Sequence, residues 1–327
     1  MKLVTFVADD AGERVGAVLR DGRIVDLMSA WVHVGAHRVP SKTAKETFGN
    51  CFKDLLTFLR CGDESIPLTR KMIDQVEGLK DPKSQGFAIH SPAQVRFLPP
   101  IPRPGKIIAM GRNFSEHLQE SKELWKGKGK EISAPKLPVG FVKVATTLIG
   151  HEAVIKCPKR VTKLDYELEL AIVIGKMAKD VPKGKALDYV AGYLIFNDVS
   201  ARDVQMEEMQ NQLLLLGKNF DTFGPMGPYF VLKDEVPDPQ NLHMQLRVNG
   251  EVRQNSNTRH MIYQIPDLVE YWSQVTLEPG DMIASGTPSG VAFSRKPDQP
   301  PWFLKPGDVV EAEIEGMGLL RNRVEMG

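Results

Sequence analysis

The 327-residue sequence predicts an α+β fold, mostly β: a small N-terminal α+β domain over residues 1–97, a proline-rich linker over 98–105, and a β-sandwich roll over 106–327. Three observations predict it. Short valine-rich runs open the chain, four prolines interrupt it within LPPIPRPG, and strand patterns dominate from there to the C-terminus. KLVTFV, RVGAVL and RIVDL are separated by the turn-prone DDAGE and RDG, the pattern of an antiparallel meander. ETFGNCFKDLLTFLR and LTRKMIDQVEGL repeat apolar residues at three- and four-residue spacing, so each can lay a helical face on that meander. The prolines then remove backbone donors and resist helix. Beyond Lys106 the runs KIIAM, ATTLIG, EAVIKC, ELELAIVIG, AGYLIF, PYFVLK, DMIASG and DVVEAEIEG read as strands, and LHMQLRVNGEVRQNS reads as a hairpin turning at Asn249-Gly250. SKELWKGKGKEISAPKLP, residues 121–138, has no sustained period and reads as a lysine-rich surface flap.

Composition bounds the function. Apolar residues make up 42% of the chain, enough for a sizeable core. Lysine plus arginine number 42 against 41 acidic residues, so no overall field exists to hold nucleic acid or an anionic membrane. Cys51, Cys61 and Cys157 show no CxxC spacing, which indicates neither a thiolate zinc site nor a disulfide framework and leads us to expect a reducing cytoplasm. The first apolar run is too short for a signal peptide, and no later one approaches the ~20 residues of a membrane helix.

The acidic residues of KLDYELELAIVIG stand out. A strand alternates its faces, so Asp165, Glu167 and Glu169 are expected on one side. Burying three like charges requires a cation or strong donors; a solvated strand face is the plain alternative. Asp198 falls where AGYLIF gives way to the helical pattern SARDVQMEEMQ, and strand ends are where sites are built. Asp203 with Ser200 reads as a helix cap. An all-oxygen set of Glu167, Glu169 and Asp198 favours a hard cation, magnesium or manganese ahead of calcium, and disfavours zinc.

These segments resemble the fumarylacetoacetate hydrolase family, in order, through nearly all of residues 105 to 327. DYELEL is similar to the family's metal strand, and Asp198 in FNDVSARDVQ to its third ligand. RNFSEHLQE, LGKNFDTFGPMGP and SGTPSGV match further family segments, although Phe114 stands where many relatives have tyrosine. The resemblance implies the family's β-sandwich roll and a general-base pair, His117 with Glu120, on a segment that orders over substrate. It implies Lys218 as the amine that stabilises developing negative charge, and Arg202, Gln205 and Thr287 as substrate-binding residues. Lys143 lies in a family-like stretch and is read as structural. Residues 1–97 are assigned no chemistry.

The activity implied is divalent-metal-dependent hydrolysis of a carbon–carbon bond in a small 2,4-diketo acid through a metal-stabilised enolate, as in aromatic catabolism. Isomerisation or decarboxylation of a related diacid such as oxaloacetate is the alternative, because the same enolate serves all three. The implied partners are a small keto-acid substrate and a second copy of the chain in a homodimer. A metal-dependent nuclease fits less well, since Glu169 stands where that chemistry commonly places lysine and no basic tract exists. A binding protein with a structural ion would show ion-dependent stability without turnover.

Overall fold

The computed structural model of the chain describes residues 1–8, 12–36, 41–126, 133–295 and 302–327. The opening runs form strands β1 (Lys2–Ala8), β2 (Arg14–Val18) and β3 (Ile24–Asp26), paired antiparallel in sequence order. Helices α1 (Leu27–Ala30), α2 (Lys42–Asn50), α3 (Leu55–Arg60) and α4 (Gly62–Glu77) come next. The stretch read as one helix over 46–60 is two. Asp54 leaves helical geometry and accepts Thr57 N–H at 2.7 Å, starting α3 as its N-cap. That break brings the end of α2 beside the start of α4, where Cys51 and Cys61 are disulfide-bonded with Cα atoms 6.0 Å apart. The expectation that no disulfide exists is thereby corrected: a ten-residue spacing across a helix break carries no recognisable signature.

Strands β4 (Ile89–His90) and β5 (Val95–Phe97) close the first part of the chain. The proline-rich segment is tied to β1, with Leu98 N–H donating to Thr5 O at 2.9 Å and the Thr5 hydroxyl to Pro100 O at 2.6 Å. Next come β6 (Ile107–Met110), α5 (Ser115–Lys126), β7 (Gly140–Lys143), β8 (Leu148–Ile149), β9 (Val154–Cys157), β10 (Leu164–Asp165) and β11 (Leu168–Ile174). After them lie β12 (Val190–Asn197), β13 (Ser200–Ala201), α6 (Arg202–Gln210), β14 (Gly224–Pro225), β15 (Phe230–Leu232), β16 (His243–Val248) and β17 (Glu251–Asn257). The chain ends with α7 (Ile265–Trp272), β18 (Met282–Ala284), β19 (Val309–Ile314) and β20 (Gly318–Met326). Of the 121–138 flap, residues 121–126 continue α5, and 127–132 lie outside the described residues.

Among the described residues, eleven strands make one sheet in the order β4-β3-β2-β1-β15-β12-β11-β18-β6-β7, with β5 also on β1. A second sheet runs β17-β16-β19-β20-β9. The period-two alternation of β11 assembles the layers. Leu168, Leu170 and Ile172 pack with Met244, Leu246 and Val310 between the two sheets, while Ala171 and Val173 face a core shared with Phe52, Phe58 and Met72 of the N-terminal helices. The α+β class and the sandwich of two sheets are products of this arrangement. Asn249 and Gly250 both adopt positive φ, 52° and 81°, and turn the β16–β17 hairpin as their sequence demands.

Candidate metal centre

Glu167, Glu169 and Asp198 come together where β10, β11 and β12 end. Each offers a carboxylate oxygen, and these oxygens lie within 4.8 Å of one another in a buried cluster. Asp165 does not join them, which corrects the expectation of a continuous three-acid face. The strand is interrupted at Tyr166 and Glu167, because Glu167 N–H goes to the Asn197 side chain at 2.9 Å and Leu168 N–H to the Gln254 side chain at 2.9 Å. Freed from the alternation, the Asp165 carboxylate caps the backbone N–H groups of Ala292 at 2.8 Å and Phe293 at 3.0 Å. It also accepts from Arg202 Nε at 2.7 Å.

Three cations thread this cluster. Arg202 hydrogen-bonds Glu167 through Nη2 and Gln205 through Nη1, the latter at 2.9 Å. Lys218 Nζ bridges Glu167 Oε2 and Asp198 Oδ2, each at 2.7 Å. Lys143 Nζ donates to Asp198 Oδ1 at 2.7 Å and to the Lys218 carbonyl. The result is an alternating chain of charge from Asp165 to Lys143. Burial pushes the Glu167 carboxyl up, but Arg202, Lys218 and His117 outweigh it and hold it at about 2. Burial pushes Lys218 down, yet Asp198 and Glu167 hold its ammonium above the usual lysine range. Lys143 is the reverse: burial prevails over Asp198 and lowers it.

Glu169 has no such cation. Its Oε2 accepts Gly286 N–H at 3.0 Å, and its buried Oε1 has no hydrogen-bond partner. Burial first, then the charges of Asp198 and Glu167, raise its carboxyl well above the ordinary carboxylate range. A buried, unpartnered carboxylate oxygen facing two further carboxylates is the donor set of a hard divalent cation. The residues therefore fit such an ion.

His117 and Glu120 share one face of α5, three residues apart, with Nδ1 3.5 Å from Oε2. Glu120 also accepts Gly290 N–H at 3.0 and 3.1 Å. Gly290 must be glycine: its φ is +99°, and a Cβ there would stand 2.1 Å from Arg253 O. Glu116 anchors the same helix through the Ser256 hydroxyl at 2.7 Å and His260 Nδ1 at 2.9 Å. Asn113 holds its start, donating to Ser285 O at 2.8 Å and accepting Tyr263 N–H at 2.8 Å.

Two residues behave differently from their sequence reading. The Thr287 hydroxyl, expected to anchor substrate, donates to Leu168 O at 3.0 Å and accepts from Gln254 Nε2 at 2.8 Å. It is thereby committed to the protein. Asp203 is not the helix cap; Ala201 is, and Asp203 instead accepts Thr162 N–H at 2.7 Å and the Thr162 hydroxyl at 2.9 Å. Gln254 and Asn197, which fix the backbone at Leu168 and Glu167, were not singled out in the sequence, where an isolated amide in a strand carries no signal.

Residues 106–325 match the model of the fumarylacetoacetate (FAA) hydrolase C-terminal family. The chain is 40% identical over 272 residues to the human protein named oxaloacetate tautomerase FAHD2A, mitochondrial, covering 81% of this chain and 82% of that protein. It is 37% identical over 327 residues to the Xenopus laevis oxaloacetate tautomerase fahd2, mitochondrial, covering 99% of this chain and 90% of the relative. Among solved structures, maleylpyruvate hydrolase from Sphingobium sp. SYK-6, in complex with manganese(II) ion and pyruvate, superposes with a TM-score of 0.68 at 28% identity, covering both chains fully. The names of the human and frog relatives overturn the cytoplasmic expectation, since both proteins are mitochondrial. Cysteine spacing bears on redox chemistry and carries no cellular address. Among the described residues no helix is long and apolar enough to cross a membrane.

Proposed function

The chain belongs to the fumarylacetoacetate hydrolase family, and from that premise we propose that it is a metal-dependent enzyme interconverting the keto and enol forms of a small 2-oxo diacid of the oxaloacetate type. The observation that carries this choice is the likeness, along 81–99% of the chain, to relatives named oxaloacetate tautomerases. The geometry is compatible with it: tautomerisation needs an oxyanion-stabilising centre and one residue that moves a proton, roles that the carboxylate cluster with its ion and His117 would fill. Glu167, Glu169 and Asp198 hold the ion, magnesium or manganese. When bound, the ion supplies Lewis acidity that makes the C3 protons of a 2-oxo acid easier to remove.

The remaining work falls to side chains. With Nδ1 of His117 turned to Glu120, Nε2 is the atom that takes the C3 proton and delivers it to the C2 oxygen on enolisation, and in the reverse direction takes the proton of the enol hydroxyl and returns it to C3. Glu120, fixed by Gly290 N–H, has Oε2 3.5 Å from Nδ1, where a small approach lets it orient the imidazole. Lys218 and Arg202 offset the negative charge of Glu167 and Asp198, and Arg202 with Gln205 line the substrate's carboxylate end. Carbon–carbon hydrolysis of an acylpyruvate is the second reading, favoured by the Sphingobium hydrolase, and it requires an activated water in addition.

The test is direct. Freshly dissolved enol-oxaloacetate should lose its ultraviolet enol absorbance faster with the protein and Mn²⁺ or Mg²⁺ than without, and chelator should remove the difference. Rapid acylpyruvate cleavage with no effect on the enol would overturn the tautomerase reading in favour of the second.

We also propose a homodimer. Val142, Val144, Leu213, Leu215 and Leu216 are between 41% and 67% exposed. Asn219 Nδ2 bonds both Val142 O at 3.1 Å and Leu215 O at 2.8 Å and so brings these two exposed apolar segments side by side. A contiguous apolar surface of this kind is ordinarily covered by a partner. Light scattering at micromolar concentration should give twice the chain mass, and Leu213→Glu should halve it. A monomeric parent protein removes the proposal.

A further inference from the structure

Lys143 is the cation of the cluster that has no assigned part. It sits on β7, the last strand of the eleven-stranded sheet, between the outward-facing Val142 and Val144. Alternation therefore turns Lys143 inward, where it is fully buried. An ammonium is costly to bury unless its donors are used, and two are: on Asp198 Oδ1 and on the carbonyl of Lys218. Asn219, the residue after Lys218, reaches back to the same strand. Its Oδ1 accepts Val144 N–H at 2.7 Å, and its Nδ2 donates to Val142 O at 3.1 Å, so it grips the backbone on both sides of Lys143.

We propose that Lys143 and Asn219 form a reciprocal clamp, fastening β7 to the turn at Lys218, and that as positioning residues they set the carboxylate of Asp198 for cation binding and the ammonium of Lys218 beside it. The inference rests on the reading of Glu167, Glu169 and Asp198 as the cation's ligands. Each half of the clamp holds the backbone that carries the other. Loosening either one frees the Asp198 carboxylate to rotate and lets the Lys218 peptide move, while leaving all three ligands in the chain. Groups that orient a metal ligand in this way typically matter about 10–100-fold to metal affinity.

Mn²⁺ affinity, read by calorimetric titration without substrate, tests the clamp apart from turnover. The parent protein is titrated first: failure of the parent to bind Mn²⁺ removes the ligand reading, and the clamp with it. Lys143→Met keeps the stem and deletes the donors; it should weaken Mn²⁺ binding by about tenfold or more and lower kcat with little change in KM. Asn219→Ala removes a half-exposed amide and leaves the buried charges in place, and should weaken binding by about three- to tenfold. It carries the test should Lys143→Met fail to fold. Val324→Ala, buried in β20 of the other sheet, serves as the control for a general loss of stability: it should lower the melting temperature and leave Mn²⁺ affinity unchanged. The clamp is overturned if the parent binds Mn²⁺ and the folded variants bind it within twofold of the parent, or if Val324→Ala weakens binding as much as they do.

Discussion

Glu169→Gln is expected to abolish metal-dependent turnover and to weaken Mn²⁺ binding by a factor on the order of 100, equivalent to about 3 kcal/mol. The substitution is nearly isosteric, and the amide oxygen can still accept Gly286 N–H. What it deletes is the negative charge behind the unpartnered Oε1. The metal-free protein should respond oppositely. Because the Glu169 carboxyl is raised in the fold by burial and by two neighbouring carboxylates, the folded state binds its proton more tightly than the unfolded chain does. Stability from that proton is complete below the unfolded carboxyl value of about 4.3 and is lost as pH rises through the raised folded value. Glutamine, neutral throughout, removes that loss. Metal-free Glu169→Gln should therefore melt higher than the metal-free parent at neutral pH while failing to bind Mn²⁺. Unchanged Mn²⁺ affinity would show that Glu169 is not a ligand.

His117→Ala is expected to lower turnover by a factor of about 100 or more, the usual scale for a positioned general base, with Mn²⁺ affinity close to that of the parent. The separation comes from placement. His117 sits on α5, which is docked through Glu116, Asn113 and Glu120, whereas the three carboxylates are carried by strand ends and do not depend on it for their positions. Glu120→Gln should have a smaller effect, because its contact with Gly290 N–H survives in the amide. Turnover by His117→Ala within threefold of the parent would mean that the proton travels by another group.

Much of this centre was legible because its chemistry is concentrated. Two glutamates two residues apart in an apolar run, and an aspartate at the next strand's end, announce themselves by the cost of burying them. The three-residue spacing of His117 and Glu120 showed only that they share a helical face; their reading as a base pair came from the family resemblance. Asp165 was misplaced because alternation presumes an unbroken strand, and the Asn197 and Gln254 side chains that break it are distant in sequence. Lys143 was legible only as a lone lysine in GFVKVATT; its inward direction depends on β7 being an edge strand with one face turned to the cluster. Thr287 shows the same limit, since nothing local says that Gln254 and Leu168 will occupy its hydroxyl. The hydrolytic reading came from the family resemblance, and the enolate chemistry it implies serves hydrolysis, isomerisation and decarboxylation alike, so the choice of reaction had to come from relatives.

The pairing of β1 with β15 gives residues 1–97 a particular standing in the molecule. Since β1 is hydrogen-bonded to β2 on one edge and to β15 and β5 along the other, the opening strands are rungs of the same ladder as β12 and β11, whose ends carry the carboxylates. Phe230 and Leu232 of β15 share their core with Phe52, Phe58 and Met72. The N-terminal segment is thus a buttress, and excising it would strip one edge of β15 and wet an apolar face two strands from Glu169.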